Sequence, residues 1–258
     1  MVFDFHTHPG YNTTKKFGFD MTDELFVNEL KRAGICRAAG SALDLDLLEN
    51  SENYGETIKK LNKKAYAFYC DNSDFFVPGI HIHPDFTELS ANEIEFYCKK
   101  GVRLVGELVP YLMGCDTYLS DGFFELFELC SEKEMVVSLH PGDVSKMEEI
   151  VKNFKNMPLV MAHPSYGDDY MHRLSIVKKY ENVYLDLSGT GIAAYGMLRY
   201  GIDTVGKEKI LFGTDFPGYN PEMYVRSVLY EKLTDGEREC IFYKNAYRLL
   251  KLEENLNG

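Results

Sequence analysis

The chain has 258 residues, 45% of them hydrophobic, enough for a substantial core and the usual size of one (β/α)8 barrel. Its formal net charge of -12 repels phosphate backbones, so nucleic acid is not an expected partner. No apolar run is long enough to span a bilayer, and the first residues enter a strand with no charged leader. A cytoplasmic protein of one domain, residues 1–258, with no membrane partner is expected.

The chain opens with Val-Phe-Asp-Phe-His-Thr-His-Pro-Gly, Val2–Gly10. In a strand, alternate side chains share a face, so Asp4, His6 and His8 point one way and Phe3, Phe5 and Thr7 the other. Pro9-Gly10 breaks the strand and leaves the imidazoles at its open end. Two imidazoles there can converge on one cation, or can be buried residues satisfying hydrogen bonds. After a polar loop, a helix begins with Thr22 as its cap and acids in the first turn, and ends at Gly34. Ile35–Ala42 is the second strand, followed by a Lys-rich helix around Ser51–Phe68. Phe75–Ile82 is the third strand, ending in His81-Ile82-His83-Pro84. Ser90–Lys100 is helix.

Val102–Val109 is the fourth strand and carries Glu107. A long connection, Pro110–Asp121, leads into a helix that runs to Lys133. Met135–Leu139 is the fifth strand, ending in His140-Pro141-Gly142, and helix follows from Val144 to Lys155. Leu159–Ala162 is the sixth, ending in His163-Pro164, and helix follows from Asp168 to Tyr180. Val183–Leu187 is the seventh, ending in Ser188-Gly189. A glycine-bearing helix leads to the eighth, Lys209–Thr214, which ends in Asp215-Phe216-Pro217. Helices over about Pro221–Leu233 and Asp235–Leu252 close the chain.

Strand and helix alternate throughout, which implies a parallel sheet with helical crossovers, and the count favours closure into a (β/α)8 TIM-type barrel. No GxGxxG follows the first strand, against a dinucleotide-binding fold. The six cysteines form no CxxC pair and are read as buried reduced thiols. His6, His8, His83, Glu107, His140, His163 and Asp215 all fall at strand ends, where such a barrel keeps its active site. Only His172 of the seven histidines lies in a helix. Metal binding accounts for such clustering; scattered structural histidines do not.

These pieces resemble the amidohydrolase superfamily, in its amidohydrolase 2 branch of TIM-barrel metal-dependent hydrolases. The match rests on Asp-Phe-His-Thr-His, His140, His163, Gly-Thr-Asp-Phe-Pro (Gly213–Pro217) and the tail Phe242–Leu250 with its Asn-Ala-x-Arg-Leu run. The resemblance implies that His6, His8 and Asp215 bind a divalent metal, zinc being the first choice. In two-metal members His140 and His163 hold a second ion, with Glu107 placed as the bridge. In one-metal members His140 joins the first ion and His163 is a catalytic acid/base. Asp215 is then both ligand and proton carrier.

His83 is a candidate substrate contact, and His81 a core or supporting residue. Asp4 is a candidate for orienting His6, Arg103 a candidate ion-pair partner of Glu107, and Tyr11, Tyr111 and Phe216 candidate pocket walls. The implied activity is hydrolysis of a small amide, ester or lactone by metal-activated water. Decarboxylation of an unsaturated or aromatic acid is the alternative, and TatD-like DNA cleavage a more distant one, suggested by Glu107. The partner expected is a small-molecule substrate, and the assembly to consider is a homodimer.

Overall fold

In the computed structural model, which describes residues 1–252, strands and helices alternate as the patterning requires. The strands are β1 (Phe3–Asp4), β2 (Arg37–Ser41), β3 (Phe76–Ile80), β4 (Leu104–Leu108), β5 (Val136–Leu139), β6 (Leu159–Met161), β7 (Val183–Asp186) and β8 (Ile210–Leu211). All are parallel and pair in chain order. The ends meet: Phe5 N–H donates to the Phe212 carbonyl at 2.8 Å, Asp215 N–H to His6 at 2.8 Å and His8 N–H to Phe216 at 2.8 Å. The result is a (β/α)8 barrel of the TIM type.

The crossovers are α1 (Asp23–Arg32), α2 (Leu45–Glu49) with α3 (Tyr54–Asp71), α4 (Thr87–Lys99), α5 (Asp121–Glu132), α6 (Val144–Asn153), α7 (Gly167–Lys179) and α8 (Met197–Val205). Thr22 caps α1 as expected, its hydroxyl accepting from Leu25 N–H at 3.2 Å. Phe26, Val27 and Leu30 give α1 its buried stripe. After β8 come α9 (Pro221–Tyr230), α10 (Asp235–Glu239), a π turn at Cys240–Lys244 and α11 (Asn245–Leu249). The Asn-Ala-x-Arg-Leu run has a physical role here. Asn245 Nδ2 reaches the carbonyls of Lys207 and Ile210, both at 2.7 Å, and Arg248 donates to Glu208 O at 2.8 Å, tying the tail to the start of β8.

Ala39, Val77, Leu104, Val136, Val160 and Leu211, one from each of six strands, are buried in one apolar cluster with Tyr247 and Leu250. Larger clusters lie between strands and helices. With the lower barrel packed this way, polar side chains are left to the upper end.

Three expectations need correction. The cysteines are all free, but only Cys130 is buried; Cys36 and Cys70 are exposed. The regular strands are shorter than the β-forming runs, because several runs leave the ladder as they approach the site. Arg103 does not pair with Glu107: the register between β4 and β5 shifts between Val105 and Leu108, which breaks the simple alternation, and Arg103 donates instead to Lys133 O at 3.3 Å.

Candidate metal centre

The upper ends of five strands converge on Glu107. Its Oε2 lies 3.4 Å from His6 Nε2 and 3.6 Å from His8 Nε2, and Asp215 Oδ1 lies 3.9 Å and 3.5 Å from the same nitrogens. The two Nε2 atoms are 3.0 Å apart. On its other side, Glu107 Oε1 is 2.9 Å from His140 Nδ1 and 3.1 Å from His163 Nε2, and those nitrogens are 3.1 Å apart. His6, His8, Glu107, His140, His163 and Asp215 are thus brought together.

The hydrogen bonds decide what those atoms offer. His8 Nδ1 lies 2.9 Å from the Ser41 carbonyl, which only accepts, so the proton sits on Nδ1 and Nε2 carries a lone pair. His6 Nδ1 lies 2.8 Å from Asp186 Oδ2, which fixes the same tautomer. Two lone pairs 3.0 Å apart, with two carboxylate oxygens beside them, repel unless a cation or added protons lie between. Donors bonded to a divalent ion at about 2.1 Å stand roughly 3.0–3.4 Å from one another. Four of the five measured separations among the His6, His8, Glu107 and Asp215 donors, 3.0, 3.4, 3.5 and 3.6 Å, fall in or near that range, and only His6–Asp215, at 3.9 Å, is longer. The residues fit a divalent ion.

The electrostatics of the buried groups follow the same logic. Burial pulls the His6 imidazolium down, but Asp186 and Glu107 outweigh it and hold its pKa well above the ordinary value. Burial also opposes charge on Glu107, yet His6 and His163 keep it well below the usual carboxylate range. On Asp215 burial dominates and the pKa rises. His163 and Asp215 both adopt left-handed backbone, φ 59° and 63°, where non-glycine residues are uncommon. Gly189 makes room for the first: a Cβ there would stand 2.3 Å from His163 Nδ1.

Asp186 and Ser188 on the seventh strand were not singled out from the sequence. Asp186 Oδ1 accepts from the backbone N–H groups of His163 at 3.2 Å and Ser188 at 2.9 Å, and contacts the Ser188 hydroxyl. Ser188 Oγ lies 2.9 Å from His6 Nδ1 and 3.0 Å from His163 Nδ1. The signal was present, since Asp186 and Ser188 alternate on one face as His6 and His8 do. Asp4 supports backbone and not the His6 ring: it accepts from His6 N–H at 3.1 Å, Thr214 N–H at 3.0 Å and the Thr214 hydroxyl at 2.5 Å, and burial lifts its pKa to about 7.

Above the cluster is a cavity of about 480 Å³. Tyr11, Tyr111 and Tyr219 line it, with His8, Glu107, His140, His163 and Asp215 at its base. Burial raises all three phenols, so they stay neutral donors. His83 is not among the residues lining this cavity. It is buried, its Nε2 2.8 Å from the Met113 carbonyl and its ring stacked on Tyr54, so it anchors the β4–α5 connection. Phe216 packs on Phe26, and Tyr219 takes the wall position expected of it. His81 is a core residue, its Nε2 2.8 Å from the Ala42 carbonyl.

A sequence profile described as Amidohydrolase, of the amidohydrolase 2 family, matches residues 4–252. The chain belongs to the amidohydrolase family. Among the family's relatives, 2-amino-3-carboxymuconate-6-semialdehyde decarboxylase of Caenorhabditis elegans is 42% identical over 57 residues, 21% of this chain and 14% of that protein. Dihydroxybenzoic acid decarboxylase of Polaromonas sp. JS666, solved with manganese and 2-nitroresorcinol, superposes with a TM-score of 0.74 at 17% identity, covering 100% of this chain and 98% of that one. 5-Carboxyvanillate decarboxylase of Sphingomonas paucimobilis gives 0.72 at 14% identity, over 93% and 86%. At such identities the structural likeness establishes the fold.

Proposed function

We propose that this protein is a metal-dependent, non-oxidative decarboxylase of an aromatic or unsaturated carboxylic acid. The observation that carries the metal is the convergence of His6 Nε2, His8 Nε2, Glu107 Oε2 and Asp215 Oδ1 with both tautomers fixed. Its supports for decarboxylation are the relatives' activities and a cavity walled by three tyrosine rings, which suits a planar acid. The zinc first expected is kept as one choice of ion beside manganese.

His6, His8, Glu107 and Asp215 would hold the ion, with His140 and His163 beside it. A bound divalent ion supplies an anchor for the substrate carboxylate and Lewis acidity that draws electrons from the ring. The chain's own residues do the rest. Tyr11, Tyr111 and Tyr219 hold the ring and narrow the route for water. The carbon–carbon bond to the carboxylate breaks, its electron pair stays on the ring carbon, and carbon dioxide leaves. That carbon then takes a proton. Asp215, in the cavity wall, is the group placed to deliver it, and His163 the second candidate.

Hydrolysis has one specific support. Glu107 faces a histidine pair on each side, the arrangement of a bridging carboxylate between two ions. One assay separates the two. Manganese- or zinc-loaded protein is offered hydroxybenzoates and a panel of lactones, esters and amides. Carbon dioxide release from a hydroxybenzoate, abolished by chelator, is the expected result. Turnover confined to lactones, esters or amides overturns the decarboxylase reading.

A further inference from the structure

The cavity wall has a property that narrows the substrate. Among the described residues that line it there is no lysine and no arginine. Gly189, Thr190 and Tyr219 also line an adjoining cavity of about 380 Å³, walled by Ile192, Ala193 and Met223 and likewise without lysine or arginine. On the other side, Tyr111 and His140 border a pocket of about 400 Å³ that does contain Lys146, but together with Asp116 and Asp143. Three cations elsewhere near the barrel mouth are engaged. Lys15 pairs with Asp46 at 3.1 Å, Lys64 with Asp44 at 2.8 Å, and buried Arg173 donates to the carbonyls of Ala162 and His163.

We infer that this site selects planar monocarboxylic acids bearing neutral hydroxyl groups, and discriminates against dicarboxylic acids. This rests on the decarboxylase reading and adds a substrate class to it. A divalent ion held by His6, His8, Glu107 and Asp215 would supply the positive charge that one substrate carboxylate needs. A second carboxylate on the ring would enter a cavity already holding Glu107 and Asp215 and would find no lysine or arginine there. Carboxylate recognition ordinarily uses a guanidinium fork or an ammonium, and an unpaired charge out of water is costly. A ring hydroxyl, in contrast, finds Tyr11, Tyr111 and Tyr219 as neutral partners. The division cuts across the relatives. 2-Amino-3-carboxymuconate semialdehyde and 5-carboxyvanillate carry more than one carboxylate, and dihydroxybenzoic acid carries one. This chain falls with the last.

The test is isothermal titration of manganese-loaded protein with 2-hydroxybenzoate, 2,6-dihydroxybenzoate and 4-hydroxyisophthalate, with carbon dioxide release followed in parallel. The last compound is 2-hydroxybenzoate with a second carboxylate. The expected result is that it binds roughly tenfold or more weakly than either monocarboxylate. Leu112→Arg, which puts a cation into the wall, should narrow that gap. If this variant does not fold, the wild-type comparison decides alone. Dicarboxylate binding as tight as that of the monocarboxylates overturns the inference, and so does the absence of binding by all three. Selective monocarboxylate binding without carbon dioxide release supports the selectivity and overturns the decarboxylase reading.

Discussion

His6 and His8 show how much a single residue's chemistry depends on what touches its far nitrogen. Their pairing on one face is legible from period-two alternation, but the tautomer is not. That is set by the Ser41 carbonyl and by Asp186, which is 180 positions from His6 in the chain. Asp186→Asn keeps the shape and replaces an acceptor pair with a mixed amide. It should weaken divalent-metal affinity about 10–100-fold, measured by competition with a chromophoric chelator. Unchanged affinity would show that Asp186 only supports backbone. His81 carries a separate expectation. Burial holds its pKa at about 4, below the ordinary 6.5. The unfolded chain therefore binds the proton first as pH falls, and stability is full above 6.5 and lost toward 4. The loss attributable to this ring is roughly 3 kcal/mol, and urea titrations of wild type and His81→Gln across that range should show a shallower slope in the variant. Equal slopes would contradict the assignment.

At the scale of elements, the order of strands and helices could be read from hydrophobic periodicity, glycine stops and the Thr22 cap. The ends of strands could not. The run from Phe5 to His8 looks like continuous strand, but regular β1 stops at Asp4, and beyond it His6 and His8 bond to the turn at Asp215–Phe216. Polar strand ends bend toward the site, and no local propensity reports that bend. The register shift in β4 is of the same kind: it turns Glu107 into the centre and removes the expected pairing with Arg103. The β7 end carries its own test. Gly189 has φ 60° and leaves no space for a methyl group against the His163 ring. Gly189→Ala should lower turnover by at least about tenfold through displacement of His163, with the fold retained by circular dichroism. Full activity would mean that His163 tolerates movement and is not held for chemistry. In the tail, Asn245→Ala leaves the Lys207 and Ile210 carbonyls without their partner and should cost about 2 kcal/mol in urea unfolding.

For the whole molecule, the barrel is the device that gathers residues from positions 6 to 215 within one sphere. The sequence carries the ligand types and their places at strand ends, which was enough for the fold and the cluster. It does not carry the choice between hydrolysis and decarboxylation, because that choice lies in the cavity walls. Loops supply those walls, and loop composition does not show which side chains turn inward. His83 illustrates the point: a histidine at a strand end, yet turned away onto the Met113 carbonyl. Metal should also stabilise the whole fold, since an ion bound by His6, His8, Glu107 and Asp215 binds the folded chain and not the unfolded one. At an ion concentration about a thousand times its dissociation constant the gain is about 4 kcal/mol, visible as a higher Tm that chelator reverses.

The most direct test of the metal centre is a crystal structure of protein soaked in manganese, with anomalous diffraction collected to locate the ion. The account predicts a peak within about 2.3 Å of His6 Nε2, His8 Nε2 and a carboxylate oxygen of Asp215, with Glu107 beside it. A map with no peak at this cluster, or with manganese bound only elsewhere on the chain, would contradict it.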